Sequence, residues 1–123
     1  IVAIIFYMGA IFWTLGYDTI YGFQDIKDDE IIGIKSTSIK FKNKPTNFVT
    51  TCYVFLILSI LIVGYMMNYS YFFYISLLVT IAHLFFYQIK LFNSKEPSIC
   101  LKVFKSNNLT GFIIFCNILI GNF

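Results

Sequence analysis

The fold of this chain is decided by residues 48–89, which read FVTTCYVFLILSILIVGYMM-NYS-YFFYISLLVTIAHLFFYQI. Residues 48–67 carry no charge, and neither do residues 71–89. A helix needs about 20 mostly apolar residues to cross the hydrocarbon core of a bilayer. Because only residues 68–70 separate the two runs, the sequence predicts two antiparallel transmembrane helices joined by a tight turn.

The composition around this hairpin is that of a membrane protein. Hydrophobic residues make up 59% of the 123 positions and charged residues only 12%, whereas soluble domains are about 25% charged. The nine lysines give a net charge of +3 and lie beside the apolar runs, which indicates membrane topology. We therefore expect a lipid bilayer as the environment and no nucleic-acid partner.

Two further apolar runs flank the hairpin. Residues 1–17 are uncharged, and so are residues 109–123, although the last run is only about 22 Å long as a helix. Residues 99–105 have a mixed pattern that would suit an amphipathic turn at the membrane interface. The predicted fold class is all-α, a multi-pass transmembrane helical bundle with about four spans. Since the chain opens inside an apolar run, we interpret it as the C-terminal part of a longer protein.

The lysines also predict the orientation of the hairpin. All nine lie in the two polar segments, residues 18–47 and residues 90–108, and the turn has none. An antiparallel pair places these two segments on one membrane face. By the positive-inside rule this face is the cytoplasmic side of a bacterial plasma membrane, or the matrix side of a mitochondrial inner membrane.

An acidic stretch follows the first apolar run. Five of the six acids fall between Asp18 and Glu30. If this segment continues the preceding helix, Asp18, Asp25 and Asp29 lie along one stripe, and Asp25 and Asp29 are neighbours one turn apart. Paired carboxylate oxygens suit Mg²⁺, which often completes its shell with water and phosphate.

The simplest alternative is an ordinary solvated loop beside a membrane span. A functional site is favoured by the closeness of Asp18 to the apolar run and by the hydrogen-bonding groups of Tyr21 and Gln24. Lys35 follows within ten residues of Asp25 and would meet phosphate oxygens. Asp28 is either a second ligand or solvated.

The remaining polar and sulfur-containing residues predict packing roles. His83, the one histidine, shares its span with no acidic residue, so we expect a neutral, hydrogen-bonded side chain. Asn117 is expected to make an interhelical hydrogen bond. The three cysteines, Cys52, Cys100 and Cys116, have no metal-binding spacing.

The acidic stretch resembles a known motif. Tyr17-Asp18-Thr19-x-Tyr21, then Gln24-Asp25-x-x-Asp28-Asp29 and Gly33-Ile34-Lys35-Ser36-Thr37, is similar to the second aspartate-rich motif of the UbiA-type membrane prenyltransferases. Within that family it is most similar to the 4-hydroxybenzoate polyprenyltransferase subgroup of ubiquinone biosynthesis. The likeness continues in Phe86-Tyr87-Gln88-x-Lys90-Leu91, in Cys100-x-Lys102-x-Phe104 and in Asn107-Asn108.

The resemblance implies about four spans of a nine-helix fold and a single domain over residues 1–123, with its motif at residues 17–37. It implies a Mg²⁺-dependent enzyme that transfers a polyprenyl group from polyprenyl diphosphate to 4-hydroxybenzoate, next to the hydroxyl. Asp25, Asp29 and Lys35 would be the catalytic residues, with Asp25 and Asp29 as the metal-binding DxxxD pair and with Asp18, Tyr21 and Lys35 binding substrate. The first aspartate-rich motif is absent, so the missing N-terminal helices are an expected partner and we expect the 123 residues alone to be inactive.

Two other functions stay open. A sibling prenyltransferase would use another aromatic acceptor, because the acceptor pocket would be shaped by other helices. A non-enzymatic membrane remnant or a piece of a transporter is the alternative from another class. A transporter would show ionisable residues across its spans, and these spans carry only His83.

Overall fold

The computed structural model describes all 123 residues as helices joined by short connections, without β-strands. Four helical stretches are long and apolar enough to cross a membrane, which confirms the predicted all-α, multi-pass transmembrane fold. In chain order the elements are α1 (Val2–Gly22), α2 (Ile26–Ile32), α3 (Thr37–Lys40), α4 (Pro45–Met66), α5 (Tyr71–Ile81) with a π-helical continuation (Ala82–Ile89), α6 (Pro97–Lys105) and α7 (Asn107–Gly121).

The central packing pair is α1 against α4. Gly16 of α1 is buried against Tyr53 of α4, and a Cβ added at Gly16 would lie 2.8 Å from Tyr53 Cε1. Small residues allow membrane helices to approach this closely. Tyr53 is itself fully buried, so the aromatic ring fills the space that the glycine leaves.

The hairpin turn lies between α4 and α5. Asn68 has a positive φ of 53°, a conformation that asparagine tolerates better than most residues. The backbone N–H of Ser70 donates to Gly121 O over 3.2 Å, so the C-terminal end of α7 meets the hairpin turn. The turn and the lysine-bearing connections therefore lie at opposite ends of the bundle.

The expected continuation of α1 into the acidic stretch is wrong, because α1 ends at Gly22. Ser38 Oγ donates to Thr19 O over 2.7 Å, and in a continuous α-helix that carbonyl would accept from the N–H of residue 23. Phe23 N–H bonds instead to Ile20 O, at 3.3 Å. The chain then turns before α2 begins at Ile26.

Two other boundaries differ from the sequence analysis. The polar connection predicted over residues 31–47 contains α3, and α4 begins at Pro45, where the missing N–H of proline costs nothing. The segment predicted to lie at the interface is helix α6, and Ser106 continues it in right-handed conformation into α7. The last apolar helix thus spans Pro97–Gly121, 25 residues, or about 37 Å.

Candidate functional site at the charged end of the bundle

A cavity of about 770 Å³ lies where three polar segments meet. It is lined by residues that follow α1, by the connection between α3 and α4, and by the loop before α6. We call it the charged cavity; its charged lining residues are Asp25, Lys27, Asp28, Glu30, Lys42 and Lys95.

Asp25 is the N-cap residue of α2 and is exposed. Its carbonyl accepts the N–H of Asp29 over 2.9 Å, which keeps the two acids one helical turn apart, as predicted. Asp28 and Glu30 line the charged cavity with Asp25, whereas Asp29 does not. The fold therefore joins Asp25 to Asp28 within the cavity and leaves Asp29 on the adjoining face of the same turn.

The acids keep their carboxylates free, with one exception. Glu30 Oε1 accepts from Lys42 Nζ over 2.8 Å, which is the one ion pair of the structure. No three His, Cys, Asp or Glu residues converge as a preformed metal cage. Mg²⁺ is usually held by one or two carboxylates with water and phosphate oxygens, rather than by an all-protein cage. The Asp25 and Asp29 pair fits that donor set.

Asp18 and Tyr21 lie on α1, outside the charged cavity. The predicted single stripe of Asp18, Asp25 and Asp29 is wrong, because the break after Gly22 puts Asp18 on a different helix. Asp18 is exposed. Tyr21 packs on α6, with its ring centroid 4.6 Å from that of Phe104.

Lys35 is not brought into the cavity of Asp25. Gly33 ends α2 in a left-handed conformation, with φ at 87°, and this turn leads the chain away from the acids. Lys35 lines a second cavity of about 460 Å³, together with Ser36, Thr37 and Lys40. The predicted role of Lys35 depended on its closeness to Asp25 in the sequence, but the two residues line different cavities.

A buried polar cluster inside the bundle was not found by sequence reasoning. Gln88 is fully buried; its Oε1 accepts from Tyr53 Oη over 2.6 Å, and its Nε2 lies 3.2 Å from Asn107 Oδ1 and 3.0 Å from Thr110 Oγ1. Asn107 Oδ1 also accepts from Trp13 Nε1 over 2.9 Å. The cluster joins all four spans. We call it the Gln88 cluster: Trp13, Tyr53, His83, Gln88, Asn107 and Thr110.

The single histidine belongs to this cluster. His83 Nε2 lies 3.3 Å from Gln88 Nε2, and its ring stacks on Tyr87 at a centroid distance of 5.5 Å. This geometry agrees with the predicted hydrogen-bonded packing role. The interhelical hydrogen bond predicted for Asn117 is present, since its Oδ1 accepts from Thr80 Oγ1 and its Nδ2 donates to Ser76 Oγ. An uncharged polar residue inside an apolar run was the available signal for Gln88.

Comparisons with known proteins agree with this architecture. Residues 1–116 match the UbiA prenyltransferase family. The chain is 37% identical over 116 residues to the mitochondrial 4-hydroxybenzoate polyprenyltransferase of Bos taurus. The aligned region covers 94% of this chain and 31% of that protein. The chain is 33% identical to the 4-hydroxybenzoate octaprenyltransferase of Saccharophagus degradans, over 94% of this chain and 38% of that protein.

A third relative is the 4-hydroxybenzoate octaprenyltransferase of Coxiella burnetii, 34% identical over 97% of this chain and 41% of that protein. No solved structure matches the chain. The chain spans between 31% and 41% of the length of these three relatives. With four apolar helices and a match over residues 1–116, this integral membrane chain belongs to the UbiA prenyltransferase family.

Proposed function

We propose that this chain works in an integral-membrane enzyme that transfers a polyprenyl group from polyprenyl diphosphate to 4-hydroxybenzoate in ubiquinone biosynthesis. The observation that carries the proposal is the pair Asp25 and Asp29, one turn apart at the charged end of four apolar helices. The names of the three relatives support the same donor and acceptor.

The chemistry asks for charge stabilisation and for exclusion of water. The allylic C–O bond breaks and its electron pair leaves with the diphosphate; the ring carbon next to the phenol oxygen forms the new C–C bond and then loses its proton. A Mg²⁺ ion would supply positive charge to the leaving diphosphate. Asp25 and Asp29 would hold that ion as ligands rather than act as bases. The apolar helices keep water from the reactive carbon.

The supporting residues are proposed with smaller roles. Asp18, Tyr21 and Lys35 lie outside the cavity of Asp25 and, unlike Asp29, are not on the helical turn next to it. We therefore expect their removal to weaken substrate binding rather than to abolish transfer. We propose that the site faces the cytoplasm or the mitochondrial matrix. We also propose that helices in the uncovered length of the relatives supply the first aspartate-rich motif, so the 123 residues alone would be inactive.

The test is a prenyl-transfer assay with the intact protein in lipid nanodiscs. Radiolabelled 4-hydroxybenzoate and a polyprenyl diphosphate are expected to give a prenylated product with Mg²⁺ and none with excess chelator. A panel of other phenolic acceptors separates the sibling prenyltransferase, which would prefer one of them. Absence of product with every acceptor, from a protein that inserts and stays folded, would contradict the enzymatic function.

A further inference from the structure

We propose that Lys95, in the loop before α6, is a phosphate-binding residue that meets the diphosphate of the substrate across the charged cavity from Asp25. The inference rests on the proposed function, because that function supplies the diphosphate. It adds a residue from a second polar segment to a site that sequence reasoning confined to residues 17–37.

The charge balance of the cavity is the first support. Three acids and three lysines line it, and only Glu30 and Lys42 pair with each other. Asp25, Asp28, Lys27 and Lys95 share the cavity without forming ion pairs. A volume of about 770 Å³ lies within the usual range for ligand sites. A bound diphosphate with its divalent cation would satisfy both signs of charge, the cation at the carboxylates and phosphate oxygens at the ammonium groups.

Gln24 gives an independent indication that the ligand has acceptor oxygens. It lines the same cavity, and its side-chain nitrogen Nε2 is buried without any hydrogen-bond partner. An amide NH₂ group only donates, and an unpaired buried donor is costly. A metal ion alone gives this donor nothing, whereas a phosphate oxygen would accept from it once the side chain turns toward the cavity.

The loop of Lys95 is held beside the acidic stretch by its own contacts. Asn93 Oδ1 accepts the backbone N–H of Lys95 over 3.0 Å. Phe92, immediately before Asn93, is buried with its ring centroid 5.9 Å from that of Phe23. Phe23 directly precedes Gln24 and Asp25 in the chain. The packed pair of phenylalanines therefore fixes the distance between the acidic stretch and the loop that carries Lys95.

Lys95 is distinguished from Lys35 by this placement. Lys35 belongs to the predicted motif but lines the second cavity, and Lys95 lies outside the motif but lines the cavity of Asp25. Lys27 also lines the charged cavity, but it is only two residues from Asp25, so its closeness to Asp25 is already set by the sequence. Only the fold brings Lys95 there.

The experiment measures binding of inorganic pyrophosphate with Mg²⁺ to the intact protein in nanodiscs by isothermal titration calorimetry. Loss of one charge-assisted hydrogen bond predicts that Lys95→Gln weakens binding about tenfold. Lys102→Gln is the matched control, since Lys102 is exposed on α6 and outside the cavity. Lys35→Gln should weaken binding less than Lys95→Gln. Equal melting temperatures exclude a folding effect.

A second readout does not depend on affinity. In the variants Lys95→Cys and Lys102→Cys, Mg²⁺ with pyrophosphate should slow labelling by a water-soluble thiol reagent only at position 95. Wild-type affinity of Lys95→Gln together with unprotected Lys95→Cys would overturn the inference while the prenyl-transfer assay still decides the proposed function. Weakened binding with protection at position 95 supports the inference, even if no acceptor is prenylated.

Discussion

The charged cavity and the Gln88 cluster are both polar, but they differ in how many of their polar groups have hydrogen-bond or ion-pair partners. In the cluster, Gln88 uses both its carbonyl and its amide group: its Oε1 accepts from Tyr53 and its Nε2 donates to Asn107, which also accepts from Trp13. In the cavity, one ion pair forms and Gln24 Nε2 has no partner. The difference indicates that the cluster is complete in itself and holds helices together, and it agrees with our proposal that a ligand completes the cavity.

The physical reason lies in the surroundings. At membrane depth there is no water to satisfy a polar group, so each unpaired group costs several kcal/mol. At the charged end of the bundle, water can solvate carboxylates and ammonium groups until a ligand displaces it. Saturated bonding is therefore required in the cluster, whereas the exposed carboxylates and ammonium groups of the cavity do not need it.

The largest expected effect is loss of activity at the acids. Asp25→Asn and Asp29→Asn should each reduce Mg²⁺-dependent prenyl transfer by on the order of a hundredfold or more, because a neutral amide stabilises less charge. Their melting temperatures should stay near that of the wild type, since neither carboxylate forms an ion pair. The measurement is initial rate in nanodiscs alongside thermal unfolding. Wild-type turnover by either variant would remove the assignment, and Asp18→Asn should lose less than tenfold.

Gln88→Met should produce the reverse pattern. The near-isosteric change leaves Tyr53 Oη without a partner and removes one hydrogen bond each from Asn107 and Thr110. We expect the free energy of unfolding to fall by about 3 kcal/mol. Reversible unfolding in mixed micelles measures this, with activity per folded molecule expected within about threefold of wild type. If the variant is stable but inactive, the cluster takes part in catalysis and the contrast with the cavity is wrong.

A substitution at the helix contact should give a smaller loss of stability. Gly16→Ala places a methyl group 2.8 Å from Tyr53 Cε1, and Tyr53 cannot move freely because it donates to Gln88. We expect a cost of about 2 kcal/mol from overpacking. Gly111→Ala is the matched control, because its added methyl would lie 3.4 Å from Trp13 Cη2. Equal effects at both glycines would show that backbone propensity, rather than contact with the cluster, decides the outcome.

The smallest expected effect belongs to the ion pair of the charged cavity. Glu30→Gln removes the ion pair with Lys42. Because the side chains of Glu30 and Lys42 are 38% and 49% exposed, the free energy of unfolding should fall by less than about 1 kcal/mol. Chemical denaturation with and without added salt measures it. A cost that is larger and independent of salt would mean that the cavity, like the cluster, is held together by its own polar contacts.

The membrane architecture was predictable because it depends on local composition. Residues 48–89 alone predict two helices and their tight turn, and the lysines predict which connections share a face. The one-turn spacing of Asp25 and Asp29 follows from any helical geometry in that stretch. Each of these features is decided by neighbouring residues, and the structure has all of them.

The features that sequence reasoning missed depend on distant partners. The end of α1 is set by Ser38 bonding to Thr19 O, a contact between residues nineteen positions apart. Gln88 finds its partners on two other spans, and Lys95 lines the cavity of Asp25 because Phe92 packs on Phe23. None of these pairings has a fixed spacing in the chain, so a single sequence cannot reveal them.

The π-helical segment from Ala82 to Ile89 has a consequence for the evolution of the cavity. A π-helical turn accommodates an extra residue relative to an α-helix, and each residue of an α-helix turns the chain by about 100°. Deleting one residue within the segment would restore α-helical winding and leave Phe92 and the loop beyond it in place, because the π-helical turn already holds the extra residue. Inserting a further residue in α-helical conformation would instead rotate Phe92 away from Phe23 by roughly 100°, together with the loop that carries Lys95. The segment should therefore tolerate the loss of one residue better than the gain of one.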